Sequence, residues 1–268
     1  MLKKNGRNGH YTIVVLDSGI GGISIAVKIY ESLNNKKAKI IFFNALHSYK
    51  KSYGNLKTKK ERVILFDKVL KSRSSLGADF IVIACNTLSS IYPYTTFNKK
   101  QEIGVLPISG FAISEIIKNI NKDTSLIIFG TPITIREKTY EISVKKRFPR
   151  LDIIPIPCKD LVRAIGTANN NKSKKLIRKY VNEGIKRAKY KKALVSLNCT
   201  HFDYYKDYFK KIFDQNNIKS KIISPNEIQA KKVSKIKLPL GNASFEMVSR
   251  VKINDVIMDD LINKITMP

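Results

Sequence analysis

The chain has 268 residues, 43% hydrophobic and 26% charged, a composition typical of a globular protein with one large or two ordinary domains. No apolar run is long enough to cross a bilayer and no secretory signal is evident, so we expect a cytoplasmic protein without membrane contact. The three cysteines lack metal-type spacing, which indicates reduced thiols and predicts no metal centre.

The net charge of +29 is large enough to suggest a nucleic-acid partner. The lysines are scattered along the chain, however, and the densest block, residues 171–192, is typical of the solvated face of a helix. There is no Trp and no cysteine–histidine finger. A general drift of composition toward Lys, Asn and Ile explains the charge equally well, so we do not expect nucleic acid as a partner.

Apolar runs and helical patterns alternate along the whole chain. The first predicted strand, 11–16, gives way through the glycine-rich turn 17–22 to a helix over 23–30. Further strands are predicted at 39–43, 80–84, 104–109, 126–129, 151–156, 193–197 and 221–223. Further helices are predicted at 58–76, 111–119, 134–147, 172–189 and 202–213, with a short one from Pro225 and another at 254–265.

This alternation predicts an α/β fold built from parallel strands with helical crossovers. We expect two similar parallel-sheet domains related by pseudo-two-fold symmetry, with the active site in the cleft between them. The predicted first domain comprises residues 1–97 and, by return of the chain, 210–268. The predicted second domain comprises residues 98–209.

Two strand ends carry the same chemistry. Segments 79–87 (D-F-I-V-I-A-C-N-T) and 193–201 (A-L-V-S-L-N-C-T-H) each end an apolar strand in a cysteine followed by side-chain donors. A cysteine just before a helix is expected to have a pKa lowered below roughly 8.5. Thiols on opposite faces of one small substrate could remove a proton from one face and deliver a proton to the other, which is cofactor-independent racemisation.

Five motifs, in order, resemble those of bacterial glutamate racemases in the aspartate/glutamate racemase superfamily. They are D-S-G-I-G-G (17–22), S-Y-G (52–54), A-C-N-T (84–87), G-T-P-I-T-I-R-E-K-T-Y (130–140) and N-C-T-H (198–201). The resemblance covers roughly residues 11–230. Each motif alone is weak, whereas five in order are highly specific.

The resemblance implies an isomerase that supplies D-glutamate for peptidoglycan, and so for cell-wall biogenesis and cell shape, without a cofactor. Cys85 and Cys199 would be the catalytic thiols, acting on the D- and L-enantiomers respectively. Asp17 and Ser18 would contact the substrate amino group and manage the proton on Cys85, and His201 would assist Cys199 and contact the substrate. The substrate carboxylates would be held by Tyr53, Gly54, Asn86, Thr87 and Thr200. The expected partners are glutamate and a second copy of the chain in a homodimer.

Departures from the family pattern concern the groups that support the thiols. Ser52 replaces a proline, His47 stands where relatives have an aspartate, and Gly166 stands where they tend to have a glutamate. We expect a slower enzyme or relaxed specificity. The alternatives are an aspartate racemase or another superfamily member, and a drifted racemase that binds DNA or DNA gyrase. A cysteine–histidine nucleophile at 199–201 also stays open on geometry.

Overall fold

The computed structural model describes residues 10–46, 52–75, 77–100, 103–249, 251–253 and 259. Its strands are β1 (Tyr11–Asp17), β2 (Ala38–Asn44), β3 (Phe80–Ile83), β4 (Gly104–Pro107), β5 (Ser125–Gly130), β6 (Ile153–Pro157), β7 (Lys192–Asn198), β8 (Lys219–Ile223) and β9 (Ser244–Ser249). Its α-helices are α1 (Ile23–Ser32), α2 (Lys59–Ser75), α3 (Asn86–Ile91), α4 (Thr96–Lys100), α5 (Ile108–Asn119), α6 (Pro132–Arg136), α7 (Thr139–Lys145), α8 (Leu161–Gly166), α9 (Asn170–Arg187), α10 (Lys206–Gln215) and α11 (Pro225–Val233). Among the described residues, 3₁₀ helices cover Tyr92–Tyr94 and Thr200–Tyr205.

The first compact unit runs to Ile108 and is completed by Asn226–Lys252. Its sheet has the strand order β4-β3-β1-β2-β9, and every neighbouring pair is parallel. The central strand β1 is apolar almost throughout and buried because helices cover both faces of a parallel sheet. A core that includes Leu16, Phe43, Phe66 and Cys85 fills one face of this sheet.

The second compact unit covers Ser109–Pro225. Its sheet has the order β6-β5-β7-β8, again with every neighbouring pair parallel. The central strand β5 is buried along its whole length. Phe129 of β5 packs against Phe209 and Phe213 of α10, at ring-centroid distances of 5.1 and 6.4 Å, and these contacts hold α10 on the sheet.

The fold-class prediction of an α/β protein with two parallel sheets is confirmed. The unit boundaries differ from the predicted domains. Residues 98–108 stay with the first unit because β4 pairs with β3. Residues 210–225 stay with the second because α10 buries its aromatic face there and β8 pairs with β7. The return to the first unit therefore comes at α11.

Local differences from the predicted elements have simple causes. The helix predicted through Arg147 is split into α6 and α7 because Lys138 adopts a left-handed conformation, with φ of 52°. The helix predicted over 202–213 begins instead as a 3₁₀ helix. Strand β9 was not predicted, since its half-exposed polar sequence lacks a clear apolar pattern. The helix predicted over 254–265 lies outside the described residues except at position 259. Among the described residues, no helix is long and apolar enough to span a membrane.

Candidate active site

The carboxyl ends of β1 and β3 bring Asp17, Ser18 and Cys85 together. These strands are parallel neighbours with Leu16 opposite Ile83, so the residues that follow them leave the sheet side by side. Ser18 Oγ lies 3.0 Å from Cys85 Sγ, within hydrogen-bonding distance. The buried Asp17 carboxylate accepts a hydrogen bond of 3.0 Å from the N–H of Gly19. Asp17, Ser18 and Cys85 therefore lie together within the first unit.

Gly22 allows the close approach of the segments around this group. A Cβ atom at position 22 would lie 2.8 Å from Asp17 Oδ2 and 2.9 Å from the Cβ of Ala84. Both distances are shorter than real Cβ contacts, so any side chain here would push the turn away from β1 and β3. The last glycine of the D-S-G-I-G-G motif is thus needed for packing.

Cys85 occupies the N-cap position of α3, with an extended backbone, and its carbonyl accepts from the N–H of Ser89 at 2.8 Å. Asn86 and Thr87 form the first turn of this helix and are buried, at 1% and 6% exposure. The strand end and helix start therefore place the thiol, the amide and the hydroxyl in one small region.

The sequence-based expectation that Cys85 has a lowered pKa is wrong. Burial raises the pKa of Cys85 to about 12, and the negative charge of Asp17 acts in the same direction. The hydrogen bond with Ser18 lowers the pKa and offsets only part of this effect. The start of a six-residue helix does not compensate for the loss of water around a thiolate beside a carboxylate. Cys85 is accordingly a neutral thiol near pH 7.

Tyr53 and Gly54 lie in the loop between β2 and α2. The N–H of Asn55 donates to the carbonyl of Ser52 at 2.9 Å, which closes a turn around them. The Tyr53 ring is buried and packs edge-on against Phe66 at 6.4 Å, whereas Gly54 is exposed. Tyr53 and Cys85 belong to the same core cluster. His47, the substituted position upstream of this loop, lies outside the described residues.

Cys199, Thr200 and His201 follow the end of β7 in the second unit. Cys199 keeps an extended backbone, and the chain then turns into the 3₁₀ helix anchored by the fully buried Phe202. Thr200 and His201 are both buried, at 2% and 6% exposure. The second cysteine thus sits at a strand end before a helical turn, as Cys85 does.

His201 has an environment that favours the neutral imidazole. Burial lowers the pKa of His201 to about 4. A Cβ atom at position 166 would lie 3.8 Å from His201 Nε2, so Gly166 is the residue beside this nitrogen and brings no side chain to it. The departure from the family pattern noted at Gly166 therefore bears directly on His201.

Cys158 is the third buried thiol and packs in the core of the second unit with Leu161, Tyr180 and Cys199. Its N–H donates to the carbonyl of Gly130 at 2.8 Å. Burial raises its pKa well above the ordinary value, and the nearby Cys199 adds to this. A core role fits these surroundings.

The predicted site residues thus form two groups, each assembled within its own unit. The first contains Asp17, Ser18, Cys85, Asn86 and Thr87, with the Tyr53–Gly54 turn in the same unit. The second contains Cys199, Thr200 and His201. Their joint action in one site stays a prediction. Within the described part of the chain, no cluster of three or more His, Cys, Asp or Glu side chains could hold a metal ion.

One buried cation was missed at the level of sequence. Arg62 of α2 is only 3% exposed and donates to the loop that carries Tyr53 and Gly54. It lies in the segment K-T-K-K-E-R at 57–62, where it cannot be distinguished from its solvated basic neighbours. Helical spacing supplies the only signal, since Arg62 and the core residue Phe66 are four positions apart and share a face of α2.

No protein-family model matches the chain. It is 27% identical over 243 residues to a protein of Bifidobacterium adolescentis named glutamate racemase, covering 87% of each chain. It is 28% identical over 222 residues to a glutamate racemase of Clostridium botulinum, covering 81% of this chain and 79% of the relative.

Solved structures of glutamate racemases share the fold. The structure from Bacillus anthracis superposes with a TM-score of 0.76 at 19% identity, covering 95% of this chain and 93% of that chain. The one from Francisella tularensis, in complex with D-glutamate, gives a TM-score of 0.74 at 21% identity and covers 94% of each chain. An aspartate racemase from Picrophilus torridus is more distant, with a TM-score of 0.56 at 15% identity, covering 85% of this chain and 96% of that chain. The resemblance to glutamate racemases inferred from the motifs is confirmed.

Proposed function

We propose that this protein is a glutamate racemase that needs no cofactor and uses Cys85 and Cys199 as its two acid/base groups. The observation that carries the proposal is the contact between Ser18 and Cys85, with Asp17 beside it, at the strand ends where parallel sheets gather ligand groups. Glutamate is proposed as the substrate because the relatives named glutamate racemase match most of the chain.

The reaction transfers one proton off and one proton onto the α-carbon. Starting from L-glutamate, the Cys199 thiolate removes the α-proton, leaving a carbanion whose charge spreads into the adjacent carboxylate. The Cys85 thiol then protonates the opposite face, giving D-glutamate, a Cys199 thiol and a Cys85 thiolate. The reverse direction exchanges the two roles, so no net proton or electron is needed.

The raised pKa of Cys85 fits this scheme. At neutral pH the free protein holds Cys85 as a thiol, which is the form that donates to the carbanion made from L-glutamate. The ammonium group of a substrate bound beside Asp17 would neutralise the charge that helps to raise this pKa. Substrate binding would therefore ease formation of the Cys85 thiolate where the D-enantiomer must be deprotonated.

The remaining predicted groups hold the substrate. Asn86, Thr87 and Thr200 can donate to carboxylate oxygens, as can the backbone of the Tyr53–Gly54 turn. His201, kept neutral by burial, can donate one hydrogen bond and accept another next to Cys199. A site made of neutral donors is suited to a small dicarboxylate held between two thiols. We further propose that the product serves peptidoglycan synthesis in the cytoplasm and that the active form is a homodimer.

The proposal is tested by incubating the protein with L-glutamate in D₂O. We expect loss of the α-proton signal in the NMR spectrum together with appearance of D-glutamate on a chiral column. Parallel samples with L-aspartate test the alternative substrate. Absence of exchange with glutamate, aspartate or any other acidic amino acid would exclude the racemase.

Single cysteine substitutions separate catalysis from packing. Cys85→Ala and Cys199→Ala should each abolish racemisation, because either change removes one of the two proton carriers. Cys158→Ala removes a buried thiol of the same second unit and serves as the matched control. Racemisation that survives in either of the first two variants would rule out the two-thiol mechanism.

A further inference from the structure

The loop before α2 is held at three points. The turn closed by Asn55 N–H and the Ser52 carbonyl contains Tyr53 and Gly54. Thr58 and Glu61 then form a reciprocal cap, with Thr58 N–H donating to Glu61 Oε2 at 2.8 Å and Glu61 N–H to Thr58 Oγ1 at 3.1 Å. Between turn and cap, the carbonyl of Leu56 accepts a hydrogen bond of 2.7 Å from Arg62 Nη1. This last contact ties the loop to α2.

Arg62 is an unusual residue for this task, because its guanidinium is buried. The residue is 3% exposed, and its Nε is a buried donor without a hydrogen-bond partner. Among the described residues, Arg62 makes no ion pair. A buried cation is costly unless it is paired or hydrogen-bonded, and among the described residues the Leu56 carbonyl accepts a hydrogen bond from Nη1 of this guanidinium.

The acidic residues of α2 are engaged elsewhere. Asp67 accepts hydrogen bonds from Thr96 Oγ1 at 2.6 Å and Phe97 N–H at 2.8 Å, and pairs with Lys71 at 2.6 Å. Glu61 is exposed and accepts a hydrogen bond from the N–H of Thr58. Neither neutralises Arg62, so its positive charge stays beside the Tyr53–Gly54 turn.

The direction of the side chain follows from helix geometry. Arg62 and Phe66 lie four residues apart on one face of α2, and long side chains on a helix lean toward its N-terminus. Phe66 packs edge-on against Tyr53, so Arg62 lies one turn nearer to the loop on the same face. Its contact with Leu56, two residues after Gly54, agrees with this placement.

We propose that Arg62 is a positioning residue for substrate binding, whose buried guanidinium fixes the Tyr53–Gly54 turn through Leu56 and adds a positive charge near the substrate carboxylate. The inference rests on the proposed racemase function, in which that turn donates to a carboxylate. Arg62 is not assigned a proton transfer or a direct contact with the substrate.

The test compares Arg62→Met, Arg62→Lys and the matched control Lys68→Met, which removes an exposed cation from the same helix. For Arg62→Met we expect KM for glutamate to rise about tenfold while kcat changes less than about threefold, as for loss of binding that ground and transition states share. Arg62→Lys should recover part of the loss, because it keeps the charge without the planar fork. Lys68→Met should behave as wild type.

A second measurement does not depend on activity. Limited trypsin digestion followed by mass spectrometry reports cleavage after Lys57, an exposed residue between Leu56 and the Thr58 cap. Cleavage there should be faster in Arg62→Met and Arg62→Gln than in wild type or Lys68→Met, because the loop loses its buried tie.

Wild-type KM in Arg62→Met and Arg62→Lys, with unchanged cleavage after Lys57, would overturn the inference while the racemase function stands. If Arg62→Met does not fold, the same comparison is made with Arg62→Gln and Arg62→Lys. A wild-type protein that exchanges no α-proton of glutamate would instead remove the proposed function, and this inference with it.

Discussion

Ser18 Oγ and Cys85 Sγ lie 3.0 Å apart across two neighbouring strand ends that are 67 residues apart in sequence. When Cys85 is a thiol, its S–H can donate to the hydroxyl, and when it is a thiolate, the hydroxyl donates to sulfur. The hydrogen bond between Ser18 and Cys85 can therefore persist in both protonation states of Cys85 without movement of either side chain. Ser18 is the described neighbour that favours the thiolate most, against burial and the charge of Asp17.

Removing this hydroxyl should slow the reaction. In Ser18→Ala the pKa of Cys85 should rise further, and kcat/KM should fall about tenfold or more, the loss expected for a hydrogen bond to a charged group. Because the two enantiomers have equal free energy, the fall must be the same in both directions. Initial rates from L- and D-glutamate measure it, with Ser32→Ala as control, since Ser32 is an exposed hydroxyl on α1. An undiminished rate would show that Ser18 does not assist Cys85.

The positions of the strands that carry the two cysteines were predicted better than the pKa of Cys85 and the burial of Arg62. Apolar runs and glycine turns are local signals, so β1, β3 and β7 were found within one or two residues. The pKa of Cys85 was predicted in the wrong direction because it depends on burial and on Asp17, which reaches it through the pairing of β1 with β3. Arg62 was missed for the same reason, since its burial is a tertiary property.

The boundaries of the two compact units are set by tertiary packing rather than by local sequence pattern. Helix α10 and strand β8 have no sequence feature that assigns them to either unit. The packing of Phe129 against both Phe209 and Phe213 keeps α10 with the second sheet. Strand β9 shows the converse, since its half-exposed sequence gains strand structure only through pairing with β2.

A carboxylate placed at position 166 should change the behaviour of His201. Gly166→Glu would put an acidic side chain beside His201 Nε2 and should raise the pKa of His201 from about 4, because a nearby negative charge favours the imidazolium. NMR titration of the imidazole measures the change. Gly166→Ala is the control, as its Cβ would make only ordinary contact at 3.8 Å. Equal His201 titration in the Glu and Ala variants would contradict the placement.

The same histidine should make the fold sensitive to acid. Burial lowers the pKa of His201 from 6.5 to about 4, so the unfolded chain binds a proton more readily than the folded chain. The contribution of neutral, buried His201 to the free energy of unfolding is complete above about pH 6.5 and is lost as the pH falls through 4. Its size is roughly 3 kcal/mol, from about 1.4 kcal/mol for each pH unit between the two values.

Urea unfolding of wild type and His201→Gln at pH 7.5, 5.5 and 4 measures this contribution. The wild type should lose more stability than the variant over this range, by roughly 3 kcal/mol at most, since glutamine keeps polarity without titrating. Parallel pH dependences for the two proteins would mean that the histidine is not buried as a neutral group.

Gly22 offers the sharpest test of how tightly the first half of the site is packed. Gly22→Ala would place a methyl group 2.8 Å from Asp17 Oδ2 and 2.9 Å from the Cβ of Ala84, and neither the β1 end nor the β3 end can retreat without breaking their pairing. We expect a loss of about 1–3 kcal/mol in unfolding free energy, as for other overpacked sites. Racemisation should also fall, because Asp17 and Cys85 would be pushed apart.

Gly110→Ala is the matched control, because nothing lies within 4 Å of its Cβ position in α5. That variant should be neutral or up to about 1 kcal/mol more stable, since alanine favours a helix over glycine. If both variants unfold at the same urea concentration as wild type, the D-S-G-I-G-G turn does not approach β3 as closely as described.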